Sequence, residues 1–429
     1  MKRISYRKLM WVALILLLLL VPACNAQEGR LTEVAICSSL PLAGGSNARA
    51  VSMSNAIEMA LAEQGEVTLN GQRYPLRYVP LDDTGPSGSW DTAQEAANAR
   101  AAIADHDCLV YIGTYNSGAA KIAIPILNAV QMPMISPGNT YPGLTKPGTG
   151  IGDEPWIYYP LGPELRNYCR VVPTDELQTP AAARFAAQLG VTRVGIFHDT
   201  ELYGEGLAQL FAADAVANGM TVVSGPIGIN WRRILEGGSL GSQEARQAAE
   251  TLLEGDPELV YFGGTTSHGP MAIYNELLDR GYTGYFMGAD GIAERGFVSE
   301  LSDGGQRSAG IYATLVGTPL DELPTAGQTW RERYGQRYGA QPDAFAAPSY
   351  EAALVTLRAI EAAQIAEGEG TLIERARPAV LAAMRQTANF DGILGPWSFD
   401  ANCDTTSSTI SINQVQGDDF VLIDTVSGE

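Results

Sequence analysis

The chain has little with which to do chemistry. It carries three histidines, His106, His198 and His268, and none has metal-ligand spacing; there is no HExxH and no CxxC. No GxSxG elbow presents a nucleophilic serine, and no GxxxxGK[ST] loop is there to cradle a nucleotide phosphate. GTGIGDE (148–154) has the glycines of a dinucleotide loop. It leaves a Pro-Gly turn and meets Asp-Glu-Pro-Trp, whereas that motif must leave a strand and open a helix. His198, at a strand end in GIFHD, reads as structural. These gaps argue against an enzyme, a metal centre and a bound cofactor. Positive charge is scarce as well, with 28 Lys and Arg against 48 Asp and Glu, a net −20. So acidic a chain repels phosphate backbones, which argues against nucleic acid as a partner. Beyond the N-terminus no apolar run approaches the roughly 18 residues that cross a bilayer.

What is present starts at the N-terminus. Lys2, Arg3, Arg7 and Lys8 precede a nearly continuous apolar run, Leu9 to Leu20, and then Val21-Pro22-Ala23-Cys24. That is the pattern of a secretory signal over residues 1–23. A cysteine directly after the small residue resembles the bacterial lipobox, which makes Cys24 the expected lipidation site and 24–30 a tether. Cleavage a few residues later, or an uncleaved anchor, are the alternatives. Removing 23 of 429 residues leaves 406, a length for two domains at roughly 100–200 residues each. It also removes four basic residues, so −20 becomes −24. Besides Cys24 the sequence has four cysteines. Cys37 and Cys108 lie in the apolar runs AICSSL and CLVYIG and are expected as buried thiols. Cys169 and Cys403 flank less regular chain and are the candidates for a disulfide, which an exported chain can keep.

The rhythm is strand, helix, strand. VAICSS (34–39), LRYVPL, CLVYIG (108–113) and MPMIS read as strands. They alternate with AVSMSNAIEMALAEQ, DTAQEAANARAAIA and SGAAKIAIPILNAV (117–130), which carry helical periodicity. After Pro180 the alternation restarts, with TRVGIFHD, MTVVSG, PELVYFGG and YTGYFMGAD as strands. Short β-branched or aromatic runs between longer helices predict βαβ units and parallel sheets, here in two α/β lobes. Three further helical stretches lie around 326–338, 348–365 and 373–387, before a strand-rich tail. The zone between the blocks, 147–167, is rich in Pro and Gly.

In open parallel sheets ligands bind outside the carboxyl ends of the strands. Polar residues gather at those ends: Thr114-Tyr115-Asn116-Ser117, Gly138-Asn139-Thr140-Tyr141, Tyr203-Gly204-Glu205-Gly206, Thr265-Thr266-Ser267 and Asp290. A free α-amino acid needs such a set. Its carboxylate wants hydroxyls and N–H groups near a helix start, which suits Ser117 and Thr140. Its ammonium wants a carboxylate, which suits Asp290, because a buried unpaired charge is costly.

MISPGNTYPGLT, IFHDTELYGEGLA, ELVYFGG, GYFMGADG and ILGPWSFD, in that order, resemble the substrate-binding proteins of branched-chain amino acid (Leu/Ile/Val-type) ABC transporters. The similarity runs over about 31–425. It implies the type I periplasmic binding protein fold, two Rossmann-like lobes with parallel central sheets joined by a three-segment hinge. The lobes are expected at 31–173 plus 317–395 and at 174–316 plus 396–429. Carried over residue by residue, the resemblance puts the ligand carboxylate on Ser117 and Thr140, with the main chain of Gly138 and Asn139 beside them. Tyr203 matches the family tyrosine before G-E-G, and Asp290 falls where the family often has Glu. Thr265 stands where a second tyrosine is usual. The first loop, LPLAGGSNARAV, lacks the aromatic often found there. Both departures remove aromatic wall and favour a larger, more polar or simply different ligand. The implied partners are an amino acid and an ABC permease, with a monomer tethered to the membrane by its N-terminal lipid, on the outer face of the cytoplasmic membrane or in the periplasm. A binding protein for an amide, urea, an aromatic acid or another small organic solute, or a ligand sensor, are the alternatives on the same fold.

Overall fold

The structure, a computed structural model, describes residues 31–427 apart from 45–46, 302–303, 305 and 308. The signal segment 1–23, Cys24 and the tether 24–30 lie outside the described residues.

Six strands, β1 (Val34–Leu40), β2 (Glu66–Leu69), β3 (Gln72–Asp82), β4 (Cys108–Gly113), β5 (Met134–Ser136) and β6 (Tyr168–Arg170), form one sheet in the order β2-β3-β1-β4-β5-β6. Only β2 runs antiparallel. The second lobe is built on β7 (Arg193–His198), β8 (Thr221–Gly228), β9 (Leu259–Gly263), β10 (Tyr285–Gly288) and β11 (Gly310–Val316), all parallel to one another. A small hairpin, β12 (Phe390–Gly392) and β13 (Gly395–Trp397), returns to the first lobe, where Trp397 and Ile393 hydrogen-bond the Glu351 carboxylate. The tail strands β14 (Thr409–Gln416) and β15 (Asp419–Ser427) add antiparallel to β11 and complete the order β15-β14-β11-β10-β9-β7-β8.

The inner strands are unbroken apolar runs because helices cover both faces of each sheet. VAICSSL, CLVYIG and LVYFG are buried at every position. One core gathers Ile36, Val110, Ile112, Trp330 and Tyr334; another gathers Phe197, Val260, Phe262, Phe286 and Phe297. The chain passes between lobes three times, after β6, after β11 and before β14. These crossings lie side by side. Arg170 N donates to Cys403 O, Thr405 N to Arg170 O, and Gly317 N to Thr409 O.

Cys169 and Cys403 are joined, 234 residues apart in sequence. Cys37 and Cys108 are joined too, which corrects the expectation of buried thiols. The reason is sheet geometry. β1 and β4 are adjacent, and both cysteines point into the same core, with Cα atoms 6.1 Å apart. Two apolar-looking strand positions are therefore neighbours.

The 147–167 segment is an ordered crust of short 3₁₀ turns. The Glu154 carboxylate accepts from Tyr141 OH (2.8 Å), Ile151 N (2.8 Å) and the Tyr158 hydroxyl. Asn128 ties the far end, donating to Leu165 O and accepting from Leu161 N.

At the end of β1 lies a buried acid pair, Glu95 and Asp83. Glu95 accepts from Ser39 Oγ (2.5 Å) and Tyr111 OH (2.8 Å). Burial pushes Glu95 up to about 8, and burial plus the Glu95 charge holds Asp83 well above the usual carboxylate range. The folded state thus keeps a proton that the unfolded chain has lost above its carboxyl pKa near 4.5. This contribution to stability is full below that value and is lost as pH rises towards about 8. Glu95→Gln, able to donate to the same hydroxyls, should flatten this decline. Chemical denaturation should find the variant about 1 kcal/mol or more above the parent at pH 9, relative to their difference at pH 5. Parallel pH profiles would contradict it.

Candidate functional site

The turn after β5 is held from behind. Ser136 Oγ donates to Thr114 O (2.8 Å) and accepts from Gly138 N (3.0 Å) and Asn139 N (2.9 Å). Those two N–H groups, expected to face a ligand, are used within the turn. The Asn139 side chain donates to Tyr115 O and accepts from Tyr168 OH, both at 2.9 Å. Arg170, fully buried, donates to Asn139 O (3.2 Å), Tyr141 O (2.8 Å), Asp404 Oδ1 (2.6 Å) and the Thr145 hydroxyl. One guanidinium thereby fixes the turn and one interlobe crossing together. Tyr141 packs into the core and reaches Glu154.

Beside this turn begins the helix Ser117–Asn128. Asn116, at its N-cap, makes no side-chain capping bond. The first N–H groups of such a helix favour an anion. Ser117 Oγ accepts from Tyr141 N at 3.4 Å. Gly118 is required here, since a Cβ would come 2.4 Å from the Trp90 ring.

The second lobe brings an acid. Asp290, 2% exposed, accepts at Oδ1 from Gln178 Nε2 (2.8 Å) and Tyr203 OH (3.0 Å). The Tyr203 hydroxyl accepts in turn from Gly291 N (3.0 Å). Burial raises the Asp290 pKa, against the opposing pull of the Gln178 hydrogen bond and the Arg49 charge. Asp175 is raised further, by burial and then by the Asp290 charge. Thr140 Oγ1 lies against Asp175 without meeting hydrogen-bond geometry. A cavity at the meeting of the lobes is lined by Tyr115, Asn116, Ser117, Gly138, Tyr203, Thr265 and Asp290. Five of the seven expected ligand residues converge there. Asn139 and Thr140 stand one layer behind.

A family profile of periplasmic binding proteins matches residues 33–419. The chain belongs to the periplasmic binding protein family. The Leu/Ile/Val-binding protein homolog 2 of Brucella abortus is 24% identical over 378 residues, 88% of each chain. A leucine-binding protein of Thermotoga maritima superposes with a TM-score of 0.73 at 23% identity, covering 92% of this chain and 99% of the other. A branched-chain amino acid transporter substrate-binding protein of Streptococcus pneumoniae, in complex with isoleucine, gives 0.68 at 18% identity, over 91% and 100%. At these identities the superpositions speak for the fold alone.

In this periplasmic binding protein several cleft residues escape a reading of the sequence. Tyr115 lines the cavity but stands in the sequence as one more polar residue after a strand. Gln178 looks like any polar helix position. Nothing in the string NARAV sets Arg49 apart from a solvated surface arginine. Its guanidinium crosses the cleft and donates to Asp290 O (2.8 Å) and Ala293 O (2.6 Å). A second bridge runs from Ser89 Oγ to His268 Nε2 (2.9 Å), and His268 Nδ1 faces Asp199 Oδ2 at 2.6 Å. The atoms follow the order of a nucleophile, base and acid set, which no sequence spacing revealed. Here Ser89 and His268 come from opposite lobes, all three are buried, and Trp231 stacks on the imidazole at 4.1 Å. Ser89 and His268 thus make a second contact between the lobes.

Because Arg170 is buried with Asp404, replacing it leaves that carboxylate with only Lys146, at 3.9 Å, and the Thr145 hydroxyl. Arg170→Met should cost about 3–5 kcal/mol in guanidinium denaturation. A loss under about 1 kcal/mol would show that the turn does not depend on it.

Proposed function

We propose that this protein captures an amino acid between its lobes outside the cytoplasm and delivers it to an ABC permease, tethered as a monomer by a lipid on Cys24. The observation that carries the amino-acid reading is Asp290. It is a carboxylate sealed in the cleft with neutral donors on one oxygen, in a cavity whose opposite wall is an uncapped helix start. A ligand cation belongs at the first and a ligand carboxylate at the second. The two sit on different lobes, so only the closed form satisfies both ends of a zwitterion. Binding therefore biases an open–closed equilibrium by its differential affinity for the closed state. A permease reading that state would be supplied with loaded protein. The relatives' printed names, Leu/Ile/Val-binding and leucine-binding, favour the same ligand class. Amides and urea would leave Asp290 without a cation.

Titration calorimetry against the twenty amino acids should give at least one saturable binder. Asp290→Asn, which keeps the shape and its two donors, should weaken that binder at least 100-fold, since an ammonium would be buried without its charge partner. Unchanged affinity would remove Asp290 from the site, and with it the amino-acid reading.

A further inference from the structure

The crust over the helix Ser117–Asn128 keeps its tyrosines in and its other large apolar side chains out. Tyr158 and Tyr159 are buried, and their hydroxyls donate to the Glu154 carboxylate and to Leu144 O (2.7 Å). Trp156 and Ile157, beside Tyr158 on the same short turn, are exposed, as are Ile151, Leu161 and Leu165. Ten large apolar side chains are exposed among the described residues, and these five fall within fifteen consecutive positions. Single exposed apolar residues are ordinary, whereas a cluster marks a surface that meets a protein or a membrane. The cluster is rigidly displayed. Glu154 and Asn128 anchor it from within, and the Arg166 guanidinium, 5.7 Å from the centre of the Trp156 ring, donates to Thr145 O (3.1 Å).

Where the chain enters the fold decides between those partners. β1, β4, β5 and β6 are parallel, so their first residues share one edge of the sheet. The chain reaches that edge at Leu31, just ahead of β1. Leu161 and Leu165 lie at the same edge. Leu161 N donates to Asn128 Oδ1 (3.0 Å), and Leu165 O accepts from Asn128 Nδ2 (2.6 Å) and Gln131 Nε2 (2.8 Å), where the chain turns from the helix into β5. Three strand spacings, about 15 Å, separate β1 from β6. The seven residues 24–30 reach at most about 25 Å. A lipid on Cys24 therefore holds this edge, and the cluster, within reach of a bilayer surface. The chemistry suits that surface. Tryptophan settles at the headgroup level, and Pro160 and Pro163, both exposed, bring no N–H that needs water. The exposed charges of 151–165 are Asp153 and Glu164, which match zwitterionic rather than anionic headgroups.

We propose that residues 151–165 are a membrane-contact surface, which lays the first lobe on a zwitterionic bilayer with Trp156, Ile157, Leu161 and Leu165 at headgroup level. This rests on the lipid-tether reading above. The lipid attaches the protein but leaves it to tumble at the end of seven residues. The cluster fixes which face meets the surface.

Trp156 is its own reporter. It is 41% exposed, whereas Trp90, Trp231, Trp330 and Trp397 are at most 7% exposed, and Trp11 lies in the signal segment. Acrylamide quenching of tryptophan fluorescence therefore reads the surroundings of this one side chain. The mature protein, purified with its native N-terminus, is reconstituted into phosphatidylcholine vesicles and compared with the unlipidated chain from Asn25 in solution. Quenching should fall about threefold or more on the vesicles, as expected for an indole at the interface. The double variant Ile157→Asp, Leu161→Asp keeps Trp156 and alters only exposed positions. On vesicles it should be quenched as in solution. Equal quenching of the parent in both settings, with Cys24 acylated in the mass spectrum, overturns the contact alone. An unacylated Cys24 overturns the tether reading and this inference with it. Protection that grows with protein concentration in solution, together with a dimer mass, would give the cluster to a second copy. Loss of amino-acid uptake by cells carrying the double variant, with the parent still quenched on vesicles, would give it to the permease. Either result overturns the membrane contact.

Discussion

Arg170 is the constraint on which both the hinge and the ligand side of the first lobe depend. It has no water to fall back on, so its guanidinium must be satisfied by protein, and all its partners are distant in sequence. Asn139 O and Tyr141 O belong to the turn after β5, Thr145 to the crust that follows, and Asp404 to the last crossing between lobes. Taking a charge out of water is expensive, and only near-complete coordination offsets it. The fold therefore has one arrangement of turn and crossing that works. A second buried cation, Arg49, applies the same rule across the cleft, where its acceptors are carbonyls of the opposite lobe.

The two lobes contribute unlike charge environments. The first offers a helix start with no side-chain cap; the second offers a carboxylate already under strain from burial. Neither is comfortable alone. Burial raises the pKa of both Asp290 and Asp175, and the Asp290 charge raises Asp175 further, while the Gln178 and Tyr203 hydrogen bonds and the Arg49 charge pull Asp290 the other way.

Much of this was legible in the sequence. Two blocks of alternating strands and helices gave two sheets, because parallel strands buried on both faces must be apolar throughout. The rule that ligands sit at carboxyl strand ends led to Ser117, Gly138, Tyr203, Thr265 and Asp290, which do line one cavity. What stayed hidden depends on contacts between residues far apart. Asn139 and Thr140 lie in the expected turn, yet Ser136 takes the N–H groups of Gly138 and Asn139, which only the folded turn reveals. Arg49 has acceptors 241 and 244 residues away. The Ser89, His268 and Asp199 chain likewise spans both lobes. The expectation of free thiols at Cys37 and Cys108 failed because strand adjacency, not local composition, decides which cysteines meet.

The Cys169–Cys403 link has a mechanical consequence. It rivets the first crossing to the third, while Gly317 N bound to Thr409 O laces the second to the third. Three segments that could slide past one another are reduced to a single bearing. A rigid body on free linkers has six degrees of freedom; fastening the three segments to one another removes the sliding of one crossing past the next.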